Sequence, residues 1–287
     1  MSAELYEAQL RAIADAVEMV APNLARVTTR TGAVLEVPVA NERGAYAGLA
    51  ETLYGSFYNA TAEPPPASGD DPTAFAAALR AANLLPQRFA NGVAVPREMT
   101  TGEGGHYVLL GRAIREARSG RQVRFYWNFG AEGAVTFVRE LSARFARTRI
   151  PFQAKVPVLP LGYARTDAGV LYLDDADVSA SSDAIAAVYA ALGAAVRSEA
   201  PLFALPIAPG LAFAESPQNG ESFGMHRCAL IADGLVRAHA CGAGGAERLA
   251  VMREPFAEYG LDLARPAFNP HSRYPYRFPD LGAGAAA

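Results

Sequence analysis

A chain of 287 residues with 51% hydrophobic and 19% charged residues has the material for a sizeable core and is not composed like a disordered protein. Its formal charge of −3 supplies no global field for nucleic acid, and no apolar run approaches the ~20 residues that span a bilayer, so neither nucleic acid nor a membrane is an expected partner. The N-terminal segment carries acids early and lacks the basic region, apolar run and cleavage site of a secretion signal, which predicts a cytoplasmic protein.

Residues 3–20 set Leu5, Leu10, Ile13, Val17 and Val20 close to a 3.6-residue period, which predicts an amphipathic helix. Residues 27–39 read as a hairpin, with Thr31-Gly32 between two β-branched runs. A second helical pattern over 49–58 gathers its aromatic residues on one face and reads as core. The stretch 61–72, TAEPPPASGDDP, cannot be helical across three consecutive prolines and favours turns. It is expected to link a mostly helical N-terminal lobe, residues 1–60, to the main body at 73–268.

Within that body an Ala-rich helix over 73–85 ends at Pro86, and the turn-rich segment 89–106 has its densest glycines at 101–105. That point lacks the Gly-Lys-Ser/Thr ending of a phosphate-binding P-loop and reads as a mobile loop. A strand over 122–128 precedes a helix over 131–147 with Val135, Val138, Leu141 and Phe145 on one face. Strands follow at 152–159 and 170–173, then a helix over 182–197 capped by its Ser-Ser-Asp start. An extended piece over 202–215 leads to helices at 222–240 and 246–259, the latter with a break at Pro255. Residues 269–287 form a Pro- and aromatic-rich arm with a low-complexity, disordered end. Helices and strands mix without regular βα alternation, so the fold class is α+β, a single mixed domain whose small sheet is flanked by helices.

The two cysteines, Cys228 in the predicted helix over 222–240 and Cys241 directly at its end, are about 20 Å apart along that helix, too far for a disulfide. No CxxC, Cys/His cluster or HExxH supplies a metal site, and no G-x-S-x-G supplies a nucleophile elbow.

Lys155 is the only lysine among 26 Lys and Arg residues. Alone, it is most simply a surface residue whose stem covers apolar neighbours. Strand alternation, however, puts Phe152, Ala154 and Val156 on one face and Gln153, Lys155 and Pro157 on the other. A bend at Pro157 and Pro160 would bring Tyr163 and Arg165, two apart and same-faced, back to Lys155 together with Asp167. A second cluster lies at 215–227, where a polar loop enters a helix capped by Ser222, so that His226 and Arg227 stand in its first turns near anion-favouring N–H groups. Arg227 reads there as a phosphate ligand, and His226 as either a site residue or an ordinary packed imidazole. The arm carries His271, Arg273, Tyr274, Tyr276 and Arg277 and reads as a lid or packing arm; His106, Arg273 and Tyr274 are grouped as lid or substrate-binding residues. One lysine with several arginines and a histidine suits phosphate-group chemistry, because guanidinium forks clasp a phosphate and an amine crowded by cations gives up its proton more readily.

The phrases FYWNF (125–129), IPFQAKV (150–156), YARTDAGVLYL (163–173), PLFALPIAPGLAFAESP (201–217) and SFGMHR (222–227) resemble the HopA-type effector family. Members of that family occur as type III effectors and in biosynthetic clusters for thioamitides and class V lanthipeptides. There the family member resembles the lyase half of a split dehydratase. A phosphotransferase-like kinase phosphorylates Ser or Thr of a precursor peptide, and the lyase eliminates phosphate to leave dehydroalanine or dehydrobutyrine. The Ala- and Arg-rich composition, without a Ser-rich N-terminus, favours this biosynthetic branch. The resemblance and the chemistry together imply Lys155 as base, His226 as acid, Arg165 and Arg227 as phosphate ligands, and Tyr163 and Asp167 as residues that orient the set. No cofactor and no metal is expected, and the kinase and precursor peptide are the expected partners. The alternative is a non-catalytic effector-like or scaffold module that binds a kinase, a precursor peptide or a host protein.

Overall fold

The structure is a computed structural model and describes residues 3–41, 46–61, 71–102, 104–111 and 121–281. It is α+β, as the sequence predicts. Two compact units interleave along the chain: one comprises Met1–Ala62, Pro201–Leu205 and Ala214–Ser272, the other Glu63–Ala200, Pro206–Phe213 and Arg273–Ala287.

Helix α1 (Ala3–Ala16) stops four residues before its predicted end, because Val17 begins a strand. β1 (Val17–Ala21), β2 (Leu24–Thr28) and β3 (Val34–Pro38) form an antiparallel sheet, with Val17 opposite Val27 and Val27 opposite Leu35. Branched side chains fit a pleated, half-buried surface, so cross-strand packing overrides the helical spacing of Val17 and Val20. The predicted hairpin is the β2–β3 pair. After α2 (Ala47–Leu53) and a π turn at Tyr54–Tyr58, the N-terminal segment is mixed rather than mostly helical.

Most of the Pro-rich stretch, residues 62–70, lies outside the described residues. Asp71 caps α3 (Pro72–Ala82), accepting from the Thr73 N–H at 2.9 Å ahead of a proline at the first helical position. The turn-rich segment holds three short strands, β4 (Arg88–Ala90), β5 (Val93–Val95) and β6 (Glu98–Thr100), before β7 (His106–Leu110). Next come β8 (Gln122–Trp127), α4 (Ala131–Phe145), β9 (Gln153–Pro157) and β10 (Gly169–Asp174), each within two residues of its predicted bounds. α5 (Val178–Leu192) starts earlier than predicted. Ser182 does not cap it but lies inside it, donating its hydroxyl to Arg277 O at 3.0 Å. β11 (Leu205–Ala208) and β12 (Leu211–Glu215) follow, then α6 (Phe223–Ala240), which has Ser222 at its N-cap as predicted. α7 (Gly245–Glu258) runs unbroken past Pro255, whose carbonyl accepts from the Tyr259 N–H at 3.2 Å.

The second unit is built on a seven-stranded sheet in the order β11-β12-β8-β10-β9-β7-β6. One face carries Phe125, Trp127, Leu171, Ala154 and Val156, all buried. α4 covers this face, its Phe137 ring lying 5.3 Å from Trp127 and 5.0 Å from Phe129. The approach is close enough that a Cβ on Gly169 would sit 2.7 Å from the Phe129 ring. The helical stretch 175–195 has the length and apolar composition of a membrane span; here α5 packs on α4 and buries Ile185, Val188 and Leu192. The arm packs Tyr276 and Phe278 on Phe213, each ring at 5.0 Å. Residues 282–287, predicted to be disordered, lie outside the described residues.

In the first unit α6 packs on α7 and α2, and α1 on α7. Cys228 is buried within α6 and Cys241 is its exposed C-cap, both as free thiols.

Candidate functional site

Strand pairing sets Lys155 of β9 between Val108 of β7 and Val170 of β10, on the sheet face opposite α4. The side chain is half-buried, and its ammonium has no hydrogen bond or ion pair among the described residues. Two residues along β7, on the same face, His106 stands opposite Pro157. The described ends of the segment before it, expected as a mobile loop, are tied by hydrogen bonds. Thr101 N donates to His106 O at 3.0 Å, His106 N to Thr101 Oγ1 at 2.9 Å, and Val158 N to Gly105 O at 3.1 Å. A Cβ on Gly105 would fall 1.5 Å from Thr101 O, so only glycine fits. Burial pushes the His106 pKa down to about 4, reinforced by Lys155 and Arg165 and opposed by Asp167, and the imidazole is neutral at pH 7.

The bend after β9 is a short 3₁₀ turn, Pro160–Tyr163. It delivers Arg165 and Asp167 to the neighbourhood of His106, where both act on its charge. The two form a bidentate pair, Arg165 Nε to Asp167 Oδ1 at 2.5 Å and Nη2 to Oδ2 at 3.0 Å, which fixes the plane of the guanidinium. Tyr163 goes elsewhere: it is 0% exposed, packs against Phe75 and Phe129, and donates its hydroxyl to Pro157 O at 2.9 Å. Strand alternation does not hold through a 3₁₀ turn, so Tyr163 and Arg165 do not share a face. Burial drives the Tyr163 pKa well upward, leaving a neutral phenol that staples the bend.

His226 and Arg227 belong to the other unit. Arg227 is 0% exposed. Its Nε donates to Pro266 O at 3.0 Å, its Nη2 to Asn269 Oδ1 at 3.4 Å, and its guanidinium lies over the Phe223 ring at 4.7 Å. A guanidinium enclosed in this way holds the segment after α7 and presents no fork to a phosphate, which corrects the ligand role expected of it. Its Nη1 lies 2.8 Å from His226 Nδ1. Arginine can only donate, so Nδ1 accepts and the imidazole proton sits on Nε2. Burial, with Arg227 beside it, pushes the His226 pKa down to about 4.

Arg273 meets Asp175 at 3.5 Å, just past the C-terminal end of β10, whereas Arg165 and Asp167 lead into the N-terminal end of that strand. Six strand residues span about 20 Å, so Arg273 is not part of the Lys155 group, nor is its exposed neighbour Tyr274. Sequence reasoning gave His106 only a lid or substrate-binding role. The signal for more was a histidine opening an alternating run, HYVLL, directly after a glycine turn. Among the described residues no group of three or more His, Cys, Asp or Glu could hold a metal. What the second unit offers is an unpaired amine, a neutral imidazole and an oriented guanidinium, a set fitted to anion binding and proton transfer.

Two solved structures share the fold. The effector protein from Pseudomonas syringae pv. tomato strain DC3000 is 19% identical with a TM-score of 0.56, and the one from Pseudomonas syringae pv. syringae strain 61 is 16% identical with a TM-score of 0.52. Each likeness covers 76% of this chain and 88% of that chain. No curated protein matches. The model of the HopA1 effector protein family matches residues 99–268, more than half of the chain and a span that includes both histidine clusters and Lys155. The chain therefore belongs to the HopA1 effector protein family.

Proposed function

We propose that the protein is a phosphoserine/phosphothreonine lyase that eliminates phosphate from a kinase-primed precursor peptide. The observation that carries this reading is that Lys155 and His106 share one sheet face, with the Arg165–Asp167 pair close enough to His106 to act on its charge. Lys155, as the free amine, removes the α-proton. The electron pair left on Cα becomes the Cα–Cβ double bond of dehydroalanine or dehydrobutyrine as the Cβ–O bond breaks. Arg165, oriented by Asp167, neutralises the departing phosphate.

His106 takes the acid role that the sequence assigned to His226, since it shares a face with Lys155. Burial first, and then its two cationic neighbours, oppose protonation. A phosphate dianion among them reverses the cationic part of that effect and accepts a hydrogen bond from the imidazolium, which favours the proton that the leaving oxygen needs. The elimination involves no change of oxidation state, and the cations present meet its electrostatic demand without a metal or cofactor. A phosphotransferase-like kinase and a precursor peptide are the partners this reading requires, and the cytoplasm is where they would meet.

The test is incubation of the purified protein with a phosphorylated precursor peptide, partner kinase present, with loss of phosphoric acid followed by mass spectrometry. The native chain releases it. Lys155→Arg lowers the rate at least a hundredfold, because a guanidinium stays protonated. A scaffold that only binds would eliminate nothing and would keep its affinity in Lys155→Arg, and that result would sink the lyase reading.

A further inference from the structure

The sequence contains two Asn-Gly pairs, Asn91-Gly92 and Asn219-Gly220, both exposed. Asparagine before glycine leaves the chain open to a reaction with itself, because glycine has no Cβ to shield its own nitrogen from the neighbouring side-chain carbonyl. The surroundings of the two pairs differ. At the second, Asn219 Oδ1 accepts from Glu221 N at 3.1 Å and Gly220 N donates to Pro217 O at 3.4 Å. The first bond fixes the carbonyl that would be attacked, and the second holds the proton that the attacking nitrogen must lose.

Asn91 and Gly92 form the tip of the β4–β5 hairpin, with positive φ at both, 50° and 78°, as a type I′ turn requires. The base of the hairpin is held: Gln87 Nε2 donates to Val95 O at 2.9 Å and Arg88 Nη1 to Pro96 O at 2.9 Å. The tip is not. Neither the Asn91 side chain nor the Gly92 N–H has a hydrogen bond among the described residues, and a Cβ on Gly92 would meet nothing within 4 Å. Ring closure swings Asn91 out of the I′ turn, so the reaction waits on local opening. That opening costs little here, because β4 and β5, three residues each, pair only with each other, and a lone two-stranded hairpin is marginal in water.

We propose that Asn91 is a site of spontaneous covalent modification, converted through a succinimide to aspartate and isoaspartate. The Gly92 nitrogen gives its proton to hydroxide and attacks Asn91 Cγ. As the N–Cγ bond forms, the Cγ–Nδ2 bond breaks, and Nδ2 takes a proton from water and leaves as ammonia. Water then opens the ring. Cleavage of N–Cγ gives aspartate in an ordinary backbone, and cleavage at the main-chain carbonyl gives isoaspartate, whose backbone runs through Cβ and Cγ. Aspartate-glycine still suits a I′ turn. Isoaspartate adds a carbon to a two-residue loop and breaks the pairing of Ala90 with Val93. The site goes beyond the lyase reading and does not depend on it.

The experiment incubates the purified full-length chain in mildly alkaline buffer, folded and in concentrated urea, and follows both asparagines by peptide mass spectrometry with fragmentation that separates aspartate from isoaspartate. In the folded chain Asn91 converts at least fivefold faster than Asn219. In urea the two rates come within twofold of each other, because the hydrogen bonds that guard Asn219 are gone. Hydrogen exchange of the aged chain shows the Val93 amide unprotected in the isoaspartate fraction and still protected in Asn91→Asp, which carries the same charge on an ordinary backbone. Conversion of Asn91 no faster than that of Asn219 in the folded chain overturns the proposal. So does a preference for Asn91 that persists unchanged in urea, or a Val93 amide equally protected in the isoaspartate form.

Discussion

Two histidines on different units are held neutral by the same physics, burial reinforced by a neighbouring cation. Each has a folded-state pKa pushed down from 6.5 to about 4. In the unfolded chain both take up a proton near pH 6.5, while the folded protein resists until about pH 4. Stability therefore falls as pH drops through that window and levels off below it. For His226, 6% exposed, the gap corresponds to about 3 kcal/mol; half-exposed His106 contributes less because water screens it. Urea unfolding between about pH 7 and pH 4 should show the decline, and His226→Gln, whose carbonyl still accepts from Arg227, should lessen it. Lys155 was legible at this scale because it is unique and because alternation assigns its face. Arg227 was not. An arginine in the first turns of a helix reads as an anion ligand whether its partner is a phosphate or the Pro266 carbonyl 39 residues away.

Among the elements, residues 122–174 were the most legible, since β8, α4, β9 and β10 each carry an unbroken apolar row. The end of α1 was hidden because Val17 and Val20 satisfy a helical period and a strand equally well. The start of α5 was hidden because Ser181 and Ser182 look like caps but lie buried inside the helix. The short strands β4 to β6 have three residues each, too few for alternation to show. The packing of α4 on β10 gives a prediction of its own. Gly169→Ala places a methyl 2.7 Å from the Phe129 ring and 3.1 Å from Phe137. Overpacking of this kind costs about 1–3 kcal/mol, so thermal unfolding should show a lowered midpoint, with a larger drop for Gly169→Val.

For the molecule as a whole, the chain leaves the first unit after Ala62 and returns to it at residues 201 and 214, and nothing local in the sequence marks those returns. Those crossings fall next to or within β11 and β12, where the sequence reads only as extended. The N-terminal 62 residues are thus part of a unit, not a unit. Their helices α1 and α2 pack on α7 and α6. Expressed alone, they should lack cooperative unfolding by circular dichroism, and a chain stopped at residue 213 should lose the transition belonging to the first unit. Mixing the N-terminal fragment with one carrying 201–272 should restore helical signal if the division is correct.

The same interleaving sets an order of events on the ribosome. α1, α2 and the strands β1 to β3 emerge first, yet α6 and α7, on which those two helices pack, are encoded last, in a unit that runs to Ser272. At about 5–20 residues per second, the nascent chain carries this unfinished unit for roughly 10–40 s, from residue 62 until Ser272 has been added. During that interval its apolar surface is open to any holdase within reach, and synonymous changes that slow elongation between residues 62 and 214 should lower the yield of folded protein while leaving the purified product unchanged.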